Sequence, residues 1–290
     1  MMEQIKRLIP GYIKEAIDHK VVARERALAC ALAWKECRVS LKQFFTWRSP
    51  LMSFFRVIKY FSFGVMRLFH GKNTKVSYGY TGEDTLIAAL LNVPVFKDGF
   101  YVDIGANDPR FLSNSFLFYR RGWRGVCIDP NQALIKKHQH VRPRDHNIQA
   151  LVSDETTPRT FYHLTNNVLS TTETQYLSEY KSKGQKIEKT EQLTPRTLTS
   201  ILDECGFPFQ FDFLSIDAEE HDLNVLKSLD FNRYEPRLVV VEDDTLDPDT
   251  PCENPVYQYL KAHNYVFKGS LLKNVYFLKD SSAIKYETGN

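Results

Sequence analysis

The chain has 290 residues, 43% of them hydrophobic and 25% charged, with 13 glycines and 13 prolines. That balance excludes a disordered or collagen-like chain and predicts one large α/β domain with an appendage, since globular domains run to roughly 100–200 residues. The net charge of +3 conceals an asymmetry: residues 1–75 carry 15 Lys and Arg against 5 Asp and Glu, while residues 76–290 carry 23 against 30.

A basic arm (1–75) is therefore expected ahead of an acidic body (76–290). No uncharged apolar run reaches the roughly 18 residues of a membrane span, and Glu3, Lys6, Arg7 and Lys14 interrupt any signal-peptide core. The five cysteines, Cys30, Cys37, Cys127, Cys205 and Cys252, are scattered and form no CxxC pair. These features predict reduced thiols and a cytoplasmic location.

In the arm, Ile13, Ile17, Val21 and Leu28 recur at helical spacing, and Ser49-Pro50 reads as an N-cap with a first-turn proline. Beyond it Leu51, Phe54, Phe55, Ile58, Phe61, Val65, Leu68 and Phe69 form an apolar stripe, with Arg56, Lys59 and Arg67 on another face. Between Glu36 and Glu83 there is no acidic residue. Residues 41–72 thus suit either an anionic membrane surface, to which the protein would attach peripherally, or packing against the body, a protein partner or a second copy in a homo-oligomer.

From Gly99 short β-branched and aromatic runs alternate with helical stretches, the pattern of βαβ units on a parallel sheet. Strands are expected at 100–106, 125–129, 147–154, 211–218 and 237–243, and helices at Leu112–Arg121, Gln132–His140, His221–Leu229 and Asn254–His263. The stretch 265–280 reads as two strands around a Gly269–Asn274 turn, and residues 165–192 as a polar insertion.

In such a sheet a ligand lies over the carboxyl ends of the strands, beside the first one. There the chain offers Asp103-Ile-Gly105-Ala-Asn107, with one glycine where a dinucleotide fold has GxGxxG. Asp129 ends the second strand, where a carboxylate can accept from both ribose hydroxyls, and Ser153-Asp154 end the third, placed for an adenine amino group. A glycine turn, a ribose carboxylate and an adenine carboxylate without a diphosphate cradle describe S-adenosylmethionine.

The stretches 77–84 (SYGYTGED), 100–131, 151–155 (LVSDE), 169–171, 196–204, 212–231 (including IDAEEHD) and 239–243 (VVVED), in this order and spacing, resemble the FkbM family of S-adenosylmethionine-dependent methyltransferases. The resemblance implies a class I methyltransferase fold, Rossmann-like: a mostly parallel seven-stranded sheet with helices on both faces and a reversed strand in the terminal hairpin, here with the helical arm added. It implies O-methylation of a hydroxyl, often on a glycan, glycolipid or glycosylated natural product. By position, Asp103, Gly105 and Asn107 would hold the methionine end, Asp129 the ribose, Ser153 and Asp154 the adenine, with Glu83 and Asp84 over the cofactor. Glu220 stands where the family usually has glycine, so acceptor identity does not carry over, and nothing carries over to the arm.

Asp217, Glu219, Glu220 and Asp222 follow the fourth strand, and Glu242, Asp243, Asp244, Asp247 and Asp249 the fifth. Crowded carboxylates repel unless protons or a cation intervene. Asp217 is thus the first candidate for a base, followed by Glu219, Glu242 and the potential proton shuttle His221. Asp217, Glu219, Glu242 and Asp243 are candidate ligands of Mg²⁺ or another divalent cation. Two other readings stand beside this one: a non-catalytic glycan- or partner-binding protein of the same fold, and a nucleic-acid methyltransferase. The acidic rim disfavours the latter, since it would repel phosphates.

Overall fold

The computed structural model describes residues 75–92, 98–219 and 221–280, with isolated helical positions between residues 30 and 66. The chain divides into two units, Met1–Val76 and Ser77–Asn290. In the first, the described stripe positions Phe54, Phe55, Ile58 and Phe61 are helical and exposed and Val65 is helical and half-buried; Leu51, Leu68 and Phe69, and the earlier helix from Ile13 to Leu28, lie outside the described residues. Among the described residues no helix is long and apolar enough to cross a membrane.

The second unit begins with α1 (Glu83–Leu90) and continues through β1 (Phe100–Ile104), α2 (Phe116–Arg120), β2 (Arg124–Asp129), α3 (Gln132–Val141) and β3 (His146–Gln149). A hairpin of β4 (Arg159–Leu164) and β5 (Ile187–Leu193), with α4 (Leu177–Ser182) between its strands, leads to α5 (Leu198–Glu204), β6 (Gln210–Ile216), α6 (Asp222–Lys227) and β7 (Glu235–Glu242). Helix α7 (Pro255–Ala262) and the strands β8 (Tyr265–Leu271) and β9 (Asn274–Lys279) close the fold.

Seven strands make one sheet in the order β3-β2-β1-β6-β7-β9-β8. The first five are parallel, and β9 runs antiparallel between β7 and β8. Parallel strands are covered on both faces, which is why β1, β2, β6 and β7 read as nearly continuous apolar runs. On one face Val102, Ile104, Val126, Ile128, Leu214, Val239 and Val241 pack under α5, α6 and α7. On the other, Tyr101 stacks on Phe213 at 5.6 Å and both join Phe116, Phe118 and Trp123.

Three expected boundaries move, each for a local reason. The helix expected from Leu112 begins only at Phe116, because Leu112 has φ +55° and the Ser113 hydroxyl accepts from Phe116 N at 3.2 Å, capping the turn. The third strand ends at Gln149, and the chain then leaves the sheet, keeping only a bridge from Val152 to Arg196. The polar insertion is larger than expected and builds its own two-stranded antiparallel sheet, β4 against β5.

Candidate active site

A cleft opens at the carboxyl ends of β1, β2 and β6. Its floor is the turn after β1. Gly105 there has φ +70°, and a Cβ on it would lie 1.7 Å from the Asp217 carbonyl oxygen, so the neighbouring turn after β6 admits only glycine. The next turn residue, Asn107, also has positive φ. His138, fully buried on α3, braces this turn by donating from Nε2 to the carbonyls of Asn107 at 2.9 Å and Ala106 at 3.3 Å. Burial holds its pKa down to about 4, so the ring is neutral.

Asp129 lines the cleft and is 6% exposed. Its two oxygens accept from Asn107 N at 3.0 Å and Asn131 N at 2.7 Å, which ties the ends of β1 and β2 together and leaves further lone pairs facing the cleft. Burial pushes its pKa up to about 6. The walls are apolar, with Ile128, Pro130, Leu134, Ala150, Leu151, Val152 and Phe161. Among the described lining residues the charged groups are Asp129, Asp217 and Glu219, with no Lys or Arg. Such a lining suits an adenosyl group joined to a cationic sulfonium and disfavours a diphosphate.

The other expected cofactor residues lie elsewhere. Asp103 points to the opposite face of the sheet, where the Ser115 hydroxyl donates to it and the fully buried Arg142 guanidinium bonds Ser113, Ser115 and the Pro109 carbonyl. Asp103 therefore supports the glycine turn from below. Ser153 is fully buried with its Oγ 2.9 Å from His221 Nε2, and the exposed Asp154 accepts from Asn224 Nδ2 at 2.9 Å. Neither lines the cleft, because the chain has already left the sheet at Gln149. Glu83 accepts from the amide and hydroxyl of Thr81, and Asp84 from Ser77 and Tyr78. Both carboxylates clamp the 77–81 segment rather than face the cleft.

Beside the cleft lies a second, acidic pocket, lined by Glu219, Asp222, Glu242, Asp243, Asp244, Thr245, Asn254 and Lys273. Glu219 borders both spaces and has φ +49°, a costly conformation for a non-glycine residue. The strand register pairs Ile216 with Val241, which sets Asp217 beside Glu242 at the strand ends. Their carboxyls share a hydrogen bond, which requires a proton between them. Burial, then the Glu242 charge, raise the Asp217 pKa well above the carboxylate range. Asp217 thus stands as the proton-bearing partner rather than a free carboxylate.

Lys273, in the β8–β9 turn, reaches Glu242 Oε1 at 3.1 Å and Asp244 Oδ2 at 3.6 Å. Partial burial opposes its charge, but the hydrogen bond to Glu242 and the Glu242 and Asp244 carboxylates raise its pKa above the usual ammonium value. The carboxylates expected to share a divalent cation therefore have a lysine as counter-charge. Asp243 is engaged by Thr245 and by Asn254 Nδ2 at 2.8 Å. Among the described residues no three His, Cys, Asp or Glu side chains are grouped to hold a metal ion, so the donor set does not fit Mg²⁺. Glu220 lies outside the described residues.

His221 does not serve as a free base either. Arg159 Nη1 donates to its Nδ1 at 3.1 Å, so the proton sits on Nε2 and is given to Ser153. Burial, then the Arg159 charge, lower its pKa. Lys273, Arg159 and His138 were not among the residues expected at the site. For Lys273 the only sequence signal was a lone cation in a turn.

The pattern of the Methyltransferase FkbM domain matches residues 103–267. Among solved structures, the chain is similar to a methyltransferase FkbM from Methylobacillus flagellatus KT, at 12% identity and a TM-score of 0.43, over 83% of this chain and 58% of that one. It is also similar to a precorrin-6y C5,15-methyltransferase from Geobacter metallireducens GS-15, at 13% identity and a TM-score of 0.33, over 71% of this chain and 93% of that one. The chain thus spans little more than half the length of the Methylobacillus protein. No curated protein matches it significantly.

Proposed function

Since the chain belongs to the FkbM methyltransferase family, we propose that it transfers a methyl group from S-adenosylmethionine to a hydroxyl of a carbohydrate acceptor. The observation that carries this reading is a pair of spaces that share Glu219 in their walls: an apolar cleft with Asp129 at the end of β2 and no lysine or arginine among its described lining residues, and a polar pocket. When bound, the cofactor supplies a methyl group on a sulfonium, an electrophile that needs only an aligned nucleophile.

Asp129 accepts from the ribose hydroxyls with the lone pairs its two backbone donors leave free, and Ile128, Pro130 and Ala150–Val152 enclose the purine. Glu219 lies on the side of the cleft next to the acidic pocket, where its carboxylate favours the sulfonium and ammonium, with the protonated Asp217 beside it. In that pocket Glu219, Asp222, Asn254, Thr245 and Lys273 offer the mixed donors and acceptors that a polyhydroxylated ring requires.

A neutral hydroxyl is a weak nucleophile and must lose its proton as the new C–O bond forms. Glu242, ion-paired with Lys273 and hydrogen-bonded to Asp217, is the carboxylate that receives it, and Asp217 positions Glu242 through their shared proton. The reading is tested by incubating the protein with methyl-labelled S-adenosylmethionine and separated glycan, glycolipid and RNA fractions. Label is expected in the carbohydrate fractions as an alkali-stable ether. Label in RNA alone, or in none, would overturn it.

A further inference from the structure

On the reverse of the helix that braces the cofactor turn, the exposed face of α3 and the 108–110 loop enclose an open basic pocket, lined by Arg110, Lys136, Lys137 and His140. Its one acidic neighbour, Asp108, is already engaged, since its Oδ1 accepts from Arg110 N at 3.0 Å and Phe111 N at 3.1 Å. The charge is conspicuous because residues 76–290 are acidic overall, 23 Lys and Arg against 30 Asp and Glu. Directly after Arg110 in the chain come two exposed apolar side chains, Phe111 at 70% exposure and Leu112 at 39%. Leu112 is also held at φ +55°, a left-handed turn that keeps the pair on the outside of the fold.

We propose that this face docks on an anionic lipid surface, with Phe111 and Leu112 entering the headgroup layer while Arg110, Lys136 and Lys137 meet the lipid phosphates. Apolar side chains flanked by cations are the composition of an interfacial anchor. A nucleic-acid backbone would use the cations and leave Phe111 and Leu112 in water. The proposal is independent of the methyl-transfer reading, because it concerns a different surface and its test reads binding alone.

The test is co-flotation of the full chain with vesicles of phosphatidylglycerol and phosphatidylcholine, or of phosphatidylcholine alone, at low and high salt. The wild type is expected to float with the anionic vesicles only, and to be released by salt. Lys136→Glu with Lys137→Glu should reduce partition by at least about tenfold, since each lysine near such a surface is worth roughly a fivefold factor. Phe111→Ser with Leu112→Gly should reduce it similarly, the glycine suiting the left-handed backbone. Unchanged binding of S-adenosylhomocysteine would show that each variant is folded. Two variants in the first unit, Phe54→Ser and Phe61→Ser, separate this face from the arm. Flotation lost only in the arm variants would overturn the proposal, as would equal flotation with neutral vesicles. Tighter binding to a short DNA duplex than to anionic vesicles, abolished by the lysine changes, would overturn it as well.

Discussion

Asp217 and Glu242 stand carboxyl to carboxyl at the ends of two adjacent parallel strands, with the Lys273 ammonium 3.1 Å from Glu242. One proton serves both. Glu242→Gln is expected to lower kcat by roughly 10²–10⁴, the range of a lost acid–base group, with cofactor affinity nearly unchanged. As pH rises through the elevated Asp217 pKa the shared proton leaves and two like charges face each other, so activity should fall on the alkaline side. Asp217→Asn keeps a donor toward Glu242 and should remove that alkaline limb. A pH–rate profile of both variants checks this, and an unaltered limb in Asp217→Asn would move the proton elsewhere.

Asp129→Ala should weaken S-adenosylhomocysteine by about 10- to 100-fold, the range of a hydrogen bond to a charged group. The same change frees the amides of Asn107 and Asn131. Calorimetry should therefore show a loss of enthalpy, and unchanged affinity would remove Asp129 from the binding site.

Gly105→Ala is expected to be among the most damaging single-methyl changes in the protein. The new carbon would lie 1.7 Å from the Asp217 carbonyl, and the φ of +70° disfavours any side chain. Separation of the β1 and β6 ends should cost at least about 2 kcal/mol and move Asp217 out of register with Glu242. Thermal unfolding and activity should fall together.

Asp222 is 7% exposed, and burial pushes its pKa up to about 7 from the usual carboxylate range. The folded state then binds more protons than the unfolded one between pH 4 and 7. The stability this group contributes is full below its unfolded pKa of about 3.8 and is lost as pH rises through about 7. Asp222→Asn can still accept from Ala218 N, the bond that Asp222 Oδ1 makes at 2.9 Å. The variant should match the wild type at pH 4 and melt several degrees higher at pH 8, since ~1 kcal/mol moves the midpoint of a domain this size by about 2–4 °C. A lower midpoint at pH 8 would contradict the burial argument.

Lys273→Met removes the cation between the two acidic loops. Activity should fall by about tenfold or more, because the Glu242 carboxylate loses its partner and the repulsion among Glu242, Asp244 and Glu219 rises. With lysine in place, excess chelator is expected to leave wild-type turnover unchanged. Turnover lost on chelation and restored by Mg²⁺ would show that a cation, rather than the lysine, balances the rim.

How much of this was legible in the sequence depended on how far each residue lies from a strand end. Asp129 and Glu242 each end a strand of the central sheet and Asp217 directly follows one, so the alternation of apolar runs and helices located them, and the family topology made the last two neighbours. Ser153 and Asp154 were assigned to the adenine by extending the third strand to 154. The chain turns away after Gln149, and their hydrogen bonds go to α6 and its cap instead. Glu83 and Asp84 were placed over the cofactor by the family resemblance alone. Here they are 3% and 0% exposed and satisfy a backbone turn. Lys273 could not be found by pattern, since its place follows from strand order at the far edge, a non-local property.

The reversal of β9 carries a consequence for how the protein comes into being on the ribosome. Because β9 runs antiparallel to β7, Asn274 pairs with Glu242, and the turn holding Lys273 arrives at the rim only with the last two strands of the sheet. The cleft built from β1 and β2 is encoded more than a hundred residues earlier. A nascent chain can thus shape its cofactor-binding half while three carboxylates of the reacting half still lack their counter-ion. A product ending before residue 273 would keep Asp129 and the glycine turn, yet have neither Lys273 nor the strand that covers the β7 edge.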